Sequence, residues 1–114
     1  MENKTTSMYD DFKKVKANHV PLSPLTFLPR AASLYPENEA VVYGKRSYTW
    51  SECYERCKRL ASGITKLGTT KGDTVSVLAT NTPEMVEAHY GIAMAGVGLN
   101  RINVRFYSFK IAYI

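Results

Sequence analysis

Apolar residues recur at helical spacing through the middle of the chain, and this pattern predicts an amphipathic helix. Between positions 49 and 68 they repeat every three or four residues, which places them on one helix face. Thr49 and Glu52 have the spacing of a capping box at its start, and Gly68 is suited to end it. The predicted apolar stripe consists of Cys53, Cys57, Leu60, Ala61, Ile64 and Leu67.

A helix and a hairpin are predicted before this segment. Thr26 is placed to cap a helix that starts at Phe27 and stops before Pro36. Its predicted apolar face consists of Leu28, Ala31, Ala32 and Tyr35. Residues 40–43 form a short β-branched run that can pair with residues 47–49 across a Gly-Lys turn.

A strand, a helix and a second strand are predicted between residues 74 and 100. Val75, Val77 and Leu78 indicate a largely buried strand, and residues 97–100 are a candidate second strand. The helix between them is expected to start with Thr82 as its cap and Pro83 in its first turn. Its predicted apolar side is Met85, Val86, His89, Ile92 and Ala93. The fold class is therefore α/β, a small hairpin plus a parallel βαβ unit with packed helices.

Length and composition fit one domain. The chain has 114 residues, of which 45% are hydrophobic and 22% charged, as in ordinary globular proteins. We expect residues 1–20 to be a flexible N-terminal lead-in and residues 21–114 to be a partial domain. A last helix, capped by Ser108, is predicted to run into the chain end, and this apolar stop in mid-helix indicates a fragment.

The N-terminus and the cysteines indicate an intracellular protein. The first residues lack an apolar stretch, so no secretory signal peptide is expected. Residues 88–100, the longest run of low charge, are too few to span a bilayer. Two cysteines four positions apart do not make a secreted disulfide framework.

The basic residues raise the question of an anionic partner. The formal net charge is +5, and Arg56, Lys58 and Arg59 lie close together in the chain. Glu52–Arg56 and Glu55–Arg59, however, have the order and spacing of helical ion pairs, which is typical of a solvated helix face. No nucleic-acid-binding motif accompanies them, so no nucleic-acid partner is predicted.

The remaining candidates for chemistry favour structural roles. Cys53 and Cys57 are more readily two core thiols than a metal pair, because zinc needs about four ligands. Gly91 and Gly96 have phosphate-loop spacing but lack the required lysine, so helix packing explains them better. His89 is predicted to be a core residue with one satisfied ring nitrogen. The residues alone name no reaction.

The order of eight short motifs resembles the N-terminal region of the acyl-activating enzymes, the AMP-forming acyl-CoA synthetase and ligase superfamily, and is most similar to plant members. The motifs are Pro21-Leu-Ser-Pro-Leu-Thr-Phe-Leu28, Ala40-Val-Val-Tyr-Gly44, Tyr48-Thr-Trp50, Arg59-Leu-Ala-Ser62, Leu67-Gly68, Gly72-Asp73, Asn81-Thr-Pro-Glu-Met85 and Leu99-Asn-Arg-Ile-Asn-Val-Arg105.

The resemblance implies the adenylate-forming ligase fold and an acid–thiol ligase of fatty acid and lipid metabolism. Such an enzyme activates a carboxylic acid substrate with ATP and Mg through acyl-AMP and transfers it to CoA. Its phosphate loop, ribose-binding acid and C-terminal lysine would all lie beyond Ile114. We therefore expect a truncated, inactive N-terminal subdomain with no catalytic, cofactor-binding or metal-binding residue and no bound cofactor. Its compartment would be cytoplasmic or peroxisomal.

Two other functions remain open. The chain could be a non-catalytic interaction module that associates with other proteins through an exposed sheet edge. Less favoured is a small basic protein that binds nucleic acid or an anionic membrane surface.

Overall fold

The computed structural model describes residues 15–17 and 19–114. The predicted lead-in, residues 1–20, thus lies largely outside the described residues. In chain order the elements are a 3-10 turn at Pro24–Thr26, α1 at Phe27–Leu34, β1 at Glu39–Tyr43, β2 at Arg46–Thr49, α2 at Trp50–Lys66, β3 at Thr74–Leu78, α3 at Pro83–Met94, β4 at Gly98–Ile102 and α4 at Ser108–Tyr113.

The predicted hairpin is confirmed as an antiparallel pair of β1 and β2. Val42 faces Ser47, and Tyr43 faces Arg46 next to the turn. Gly44 in that turn has a φ of 59°, a left-handed conformation that favours glycine. The hairpin leads directly into α2.

The capping box of α2 is also confirmed. The Glu52 amide donates to the Thr49 hydroxyl at 3.2 Å, and the Thr49 amide donates to the Glu52 carboxylate at 2.9 Å. Two donors at the helix start are satisfied in this way. The stripe ends earlier than predicted: Cys53, Cys57 and Ile64 are buried, but Leu67 is 84% exposed because it follows the last helical residue.

The predicted βαβ unit is present, with β3 parallel to β4 and Val77 opposite Arg101. The prediction that β3 is largely buried is wrong. Val75 and Val77 are half-buried against the apolar cluster that contains Ile64, Met85 and Ile92, whereas Leu78 points to the other face and is 53% exposed. Among the described residues only β4 pairs with β3, and no element covers that second face.

The interior consists of two apolar clusters that meet along α2 and α3. The first comprises Ile64, Met85, Ala88, Ile92 and Val97, and the second comprises Leu28, Cys53 and Cys57. Burial of such side chains supplies most of the stabilisation of a small domain. The two helices come very close at Gly91, where a Cβ would lie 2.8 Å from Leu60 Cδ2. Helix packing is therefore the role of Gly91, as predicted.

Three predicted caps differ from the structure in detail. Thr26 precedes α1, but its hydroxyl donates to the Ser23 carbonyl at 2.7 Å instead of capping the helix. Thr82 precedes α3 and Pro83 stands in its first turn, as predicted, but the Thr82 side chain makes no capping hydrogen bond. Ser108 is the first helical residue of α4, not its cap.

The predicted apolar faces of α1 and α3 are only partly correct. In α1, Leu28 is buried but Tyr35, which lies past the helix end, is 57% exposed. In α3, Met85 and Ile92 are buried, while Val86 and His89 face outward. No helix among the described residues is long and apolar enough to cross a membrane.

Candidate functional site

A polar cleft lies at the carboxyl ends of β3 and β4. It has a volume of about 540 Å³, and the loops that follow the two strands form most of its walls. In parallel sheets this edge is where ligands generally bind, because neighbouring strands end there together. The cleft is lined by Ala79, Thr80, Asn81, Arg101, Ile102, Asn103, Val104 and Arg105.

Hydrogen bonds fix the loops of this cleft. Arg101 Nη2 donates to Asn81 Oδ1, which links the end of β4 to the loop after β3. The Arg105 amide donates to Asn103 Oδ1 at 2.9 Å and tightens the loop after β4. The cleft therefore presents two arginines and the side-chain amides of two asparagines, a set suited to contact an anion.

A second, more apolar groove adjoins the cleft and shares Asn81 and Arg101 with it. It has a volume of about 320 Å³ and runs between the hairpin and α3. Its walls are Val41, Val42 and Tyr43 on one side and Thr82, Pro83, Met85, Val86 and His89 on the other. The sequence patterns did not single out either cavity, although Asn81 and Arg101 both lie at the carboxyl ends of predicted parallel strands.

An ion pair connects the hairpin to the start of α3. Arg46 Nη1 donates to Glu84 Oε1 at 2.8 Å, with both side chains about half exposed. The hydrogen bond from Arg46, followed by hydrogen bonds from the Thr82 side chain and the Glu84 amide, lowers the pKa of Glu84 from its ordinary 4.5 to about 2. Glu84 is thus already paired with an arginine next to the groove.

The basic cluster of α2 is arranged differently from the prediction. Arg56 does not pair with Glu52, because the Glu52 carboxylate is held in the capping box. Arg56 instead pairs with Glu87 of α3 at 2.5 Å, and its guanidinium lies 4.6 Å from the centre of the Tyr48 ring. Glu55 pairs with Lys58 in place of Arg59. The predicted i to i+4 pairs are therefore wrong. The Glu52 carboxylate accepts from the Thr49 amide, Arg56 pairs with the buried Glu87, and Glu55 pairs with Lys58.

Glu87 is a buried charge that the sequence analysis missed. It is 8% exposed and receives two hydrogen bonds from Arg56. A single carboxylate inside the apolar segment 85–93 of α3 is the signal that could have identified it, because a buried charge requires a partner.

Cys53 and Cys57 are free thiols in the core, as predicted. The hydrogen bond with Cys53, and then burial, raise the pKa of Cys57 well above its ordinary value. Such a thiol stays protonated and is a poor nucleophile.

His89 is exposed, so its prediction as a core residue is wrong. Its Nδ1 lies 2.7 Å from the Met85 carbonyl oxygen. Since a carbonyl only accepts, Nδ1 donates and one ring nitrogen is satisfied, as predicted. The helix turns the ring toward the groove instead of toward the core.

Potential metal-ligating side chains do not cluster among the described residues. Within 15–17 and 19–114, no group of three or more His, Cys, Asp or Glu side chains is arranged to hold a metal ion. Gly91 and Gly96 lie on either side of the end of α3, and Gly96, with a φ of 78°, follows that helix. Neither glycine belongs to a phosphate loop between a strand and a helix.

Known proteins of one family are similar to this chain over most of its length. The profile of the family described as AMP-binding enzyme matches residues 28–114. The chain is 47% identical over 105 residues to the peroxisomal benzoate–CoA ligase of Arabidopsis thaliana, and 46% identical over 105 residues to the peroxisomal trans-cinnamate:CoA ligase of Petunia hybrida. Each alignment covers 92% of this chain and 18% of the relative, so the chain spans about a fifth of the length of either ligase.

A solved structure gives the place of the segment in the fold. The N-terminal subdomain of Klebsiella oxytoca NpsA superposes with a TM-score of 0.72 at 20% identity, over 78% of this chain and 23% of that one. This likeness shows the fold alone. Together with the profile match over most of the chain and the identity to the plant ligases, it leads to one conclusion: the chain belongs to the AMP-binding enzyme family, as a segment of the plant acyl-activating type with the fold of the N-terminal subdomain.

Proposed function

We propose that this chain supplies the N-terminal scaffold of an acid–CoA ligase and does not catalyse acyl-AMP formation by itself. One observation carries the proposal: the chain is 47% identical to the Arabidopsis benzoate–CoA ligase over 92% of its own length, but this match covers only 18% of that ligase. Residues 21–114 then form part of a larger ligase domain, and residues 1–20 form a lead-in to it. The catalytic, cofactor-binding and metal-binding residues lie in the remainder of such an enzyme.

The chemistry of the described residues supports this division. Adenylation of a carboxylate needs cations or backbone donors held around transferring phosphates. Arg46 and Arg56 are engaged by carboxylates, and both cysteines lie in the core. Arg101 and Arg105 of the cleft are accompanied, among the described residues, by no group of three or more potential metal ligands. ATP, Mg, CoA and a carboxylic acid are accordingly ligands of the complete ligase, in our proposal, and not of this segment alone.

The test is acid-dependent exchange of pyrophosphate into ATP by the purified chain, with benzoate, trans-cinnamate and butyrate as substrates. We expect no exchange above the rate without enzyme, whereas the Petunia ligase serves as a positive control. Robust exchange with any acid would overturn the proposal of an inactive scaffold.

A chimaera tests the scaffold role independently. In the Arabidopsis benzoate–CoA ligase, the 105 matched residues are replaced by those of this chain. We expect the chimaera to retain benzoate-dependent activity, since the replaced segment carries packing and not chemistry. A folded but inactive chimaera would show that this segment holds residues essential to the reaction.

The open sheet favours a second candidate, an interaction module. Among the described residues, β3 and β4 pair only with each other, so each strand has one edge without a partner strand. Such an edge can accept a strand from another chain. Size-exclusion chromatography of the chain mixed with the Petunia ligase tests this: co-elution supports the module, and independent elution contradicts it.

We also propose a cytoplasmic or peroxisomal location. Both plant ligases named above are described as peroxisomal, and two free buried thiols suit a reducing compartment. A fluorescent fusion expressed in leaf cells, with a peroxisomal marker, tests the location; secretion would contradict it.

A further inference from the structure

Residues 106–114 present an apolar stripe at the surface of the chain. Its members occur at positions i, i+3, i+4, i+7 and i+8, the spacing of one helix face. They line a groove of about 420 Å³ on and next to α4. This C-terminal stripe consists of Phe106, Phe109, Lys110, Tyr113 and Ile114.

The C-terminal stripe is open to solvent. Phe109 is 69% exposed and Tyr113 is 92% exposed, and within the described part of the chain no residue of α4 is buried. Tyr107, 73% exposed, stacks on Phe109 with 6.2 Å between the ring centres and widens the aromatic surface. Single exposed apolar residues are common, but a contiguous cluster of this kind marks an interaction surface.

The charges around the stripe are all positive. Residues 101–114 include Arg101, Arg105 and Lys110 but no aspartate or glutamate. Among the residues that the structure describes, none of these three cations forms an ion pair with a carboxylate. Lys110 Nζ lies 5.6 Å from the centre of the Phe106 ring, so its aliphatic stem follows the apolar surface while its charge stays at the edge. The partner of this surface should therefore be apolar and anionic at once.

An anionic bilayer surface fits this combination better than a second copy of the chain. Aromatic rings are favoured at the level of the lipid headgroups, and nearby lysines and arginines are attracted to anionic lipids. Two copies that met through their stripes would bring six like charges together with no counter-charge from residues 101–114, which is costly at an interface. A lipid surface supplies the negative charge that the segment lacks.

We propose that the C-terminal stripe binds the surface of an anionic phospholipid bilayer, with the rings of Phe109 and Tyr113 inserted between the headgroups. Arg105 and Lys110 contact the lipid phosphates. The segment lies in the plane of the interface, the arrangement of helices that anchor proteins without crossing the membrane. This binding goes beyond the proposed scaffold role, because it needs neither ATP nor the remainder of a ligase.

Co-sedimentation of the full chain with lipid vesicles tests the proposal. The vesicles consist of phosphatidylcholine alone or with about one quarter phosphatidylserine. We expect partitioning at least about tenfold stronger with phosphatidylserine, because apolar contact and positive charge have to act together. Raising the salt concentration from about 0.1 M to about 0.5 M should weaken this binding several-fold without abolishing it, since the apolar part is not screened.

Two variants assign the contacts, and each has a matched control. Phe109→Ser should weaken binding at least about fivefold, because it removes an inserted ring. Lys110→Gln should weaken binding about fivefold, and only with phosphatidylserine present. Phe27→Ser in α1 and Lys45→Gln in the hairpin turn are exposed positions outside the stripe, and each should change binding less than about twofold. A native amide NMR spectrum shows that each variant is folded.

Several results would overturn the proposal. Absence of vesicle binding, or equal binding by Phe109→Ser and the parent chain, would exclude insertion of the stripe. Equal losses with Lys110→Gln and Lys45→Gln would mean attraction to the overall charge of +5 instead of a defined surface. A dimer, or co-elution with the Petunia ligase, that Phe109→Ser abolishes while vesicle binding is absent would assign the stripe to a protein partner. None of these measurements involves pyrophosphate exchange, so this proposal and the scaffold proposal can fail separately.

Discussion

Arg56 and Glu87 form a two-pronged ion pair that joins α2 to α3 next to the core. Arg56 Nε donates to Glu87 Oε1 at 2.5 Å, and Nη2 donates to Oε2 at 3.3 Å. Glu87 is 8% exposed, while Arg56 extends to the surface over the ring of Tyr48. The pair allows a carboxylate to lie inside a helix–helix contact, because both of its oxygens have donors.

Removal of the Glu87 charge should destabilise the fold. Glu87→Gln is isosteric but leaves Arg56 without its ionic partner, and the loss of a hydrogen bond to a charged group beside the core costs about 1–2 kcal/mol. The free energy of unfolding in urea measures this. A double-mutant cycle with Arg56→Gln should give a coupling energy above about 0.5 kcal/mol.

Glu55→Gln is the matched control for that experiment. Glu55 pairs with Lys58 on the same helix, and both side chains are about half exposed. Exposed pairs of this kind contribute little, so the change should stay within about 0.5 kcal/mol. Equal losses for the two glutamate variants would show that burial of Glu87 adds nothing.

The capping box of α2 should be worth about as much as a typical cap. Thr49→Ala removes the acceptor for the Glu52 amide and should lower the free energy of unfolding by about 1 kcal/mol. Thr49→Ser keeps a hydroxyl at the same place and should change stability by only about 0.3 kcal/mol. Hydrogen exchange of the Glu52 amide should accelerate in Thr49→Ala alone; unchanged exchange would contradict its role as the cap.

Local patterns predicted most of the fold. Thr49, Glu52 and Gly68 defined α2 because a cap acts on amides only a few residues away. The glycine turn of the hairpin and the strand–helix–strand order of residues 74–102 were visible for the same reason. Where the interacting residues are only a few positions apart in the chain, the sequence pattern is enough to predict the element.

Contacts between distant elements were not predictable in this way. Glu87 of α3 can be buried because Arg56, 31 positions earlier on the packed helix α2, donates hydrogen bonds to it. Leu78 is exposed because nothing among the described elements covers its face of the sheet. Periodicity gives the face on which a residue lies, but it does not say whether another element covers that face.

The stability of the hairpin–α3 contact should depend on pH through Glu84. Its pKa is about 2 in the fold against an ordinary 4.5, chiefly because of the hydrogen bond from Arg46 and then those from Thr82 and the Glu84 amide. A lowered pKa means that the contribution is complete above pH 4.5 and is lost as the pH falls toward 2. The charge is exposed, so we expect a small effect, and the titration itself is the sharper measurement.

Carboxyl chemical shifts of Glu84, followed by NMR from pH 6 down to pH 1.5, should give a midpoint of about 2. Arg46→Gln removes the largest cause and should raise the midpoint part of the way toward 4.5, since the hydrogen bonds from Thr82 and the Glu84 amide remain. Arg59→Gln, which removes an arginine outside this contact, should leave it near 2. An unshifted midpoint in Arg46→Gln would mean that Arg46 does not hold the carboxylate.

Two helical glycines should respond in opposite directions to the same substitution. A Cβ on Gly91 of α3 would lie 2.8 Å from Leu60 Cδ2 and 3.0 Å from the Cys57 carbonyl oxygen. Backbone cannot move aside as a side chain can, so the overpacking cost of about 1–3 kcal/mol exceeds the roughly 1 kcal/mol that alanine gains in a helix. Gly91→Ala should therefore destabilise the chain.

Gly63 of α2 provides the control, since a Cβ there would meet nothing within 4 Å. Gly63→Ala should raise the free energy of unfolding by about 0.5–1 kcal/mol, because it lowers the backbone entropy of the unfolded chain without a clash. Urea unfolding of both variants measures the difference. Leu60→Ala should reduce the cost of Gly91→Ala by removing the Cδ2 atom, while Leu60 Cβ and the Cys57 carbonyl oxygen remain 3.0 Å from the added Cβ. Stabilisation of similar size at both positions would show that α2 and α3 are not in close contact at Gly91. The packing of these two helices, along which the two apolar clusters meet, would then be wrong.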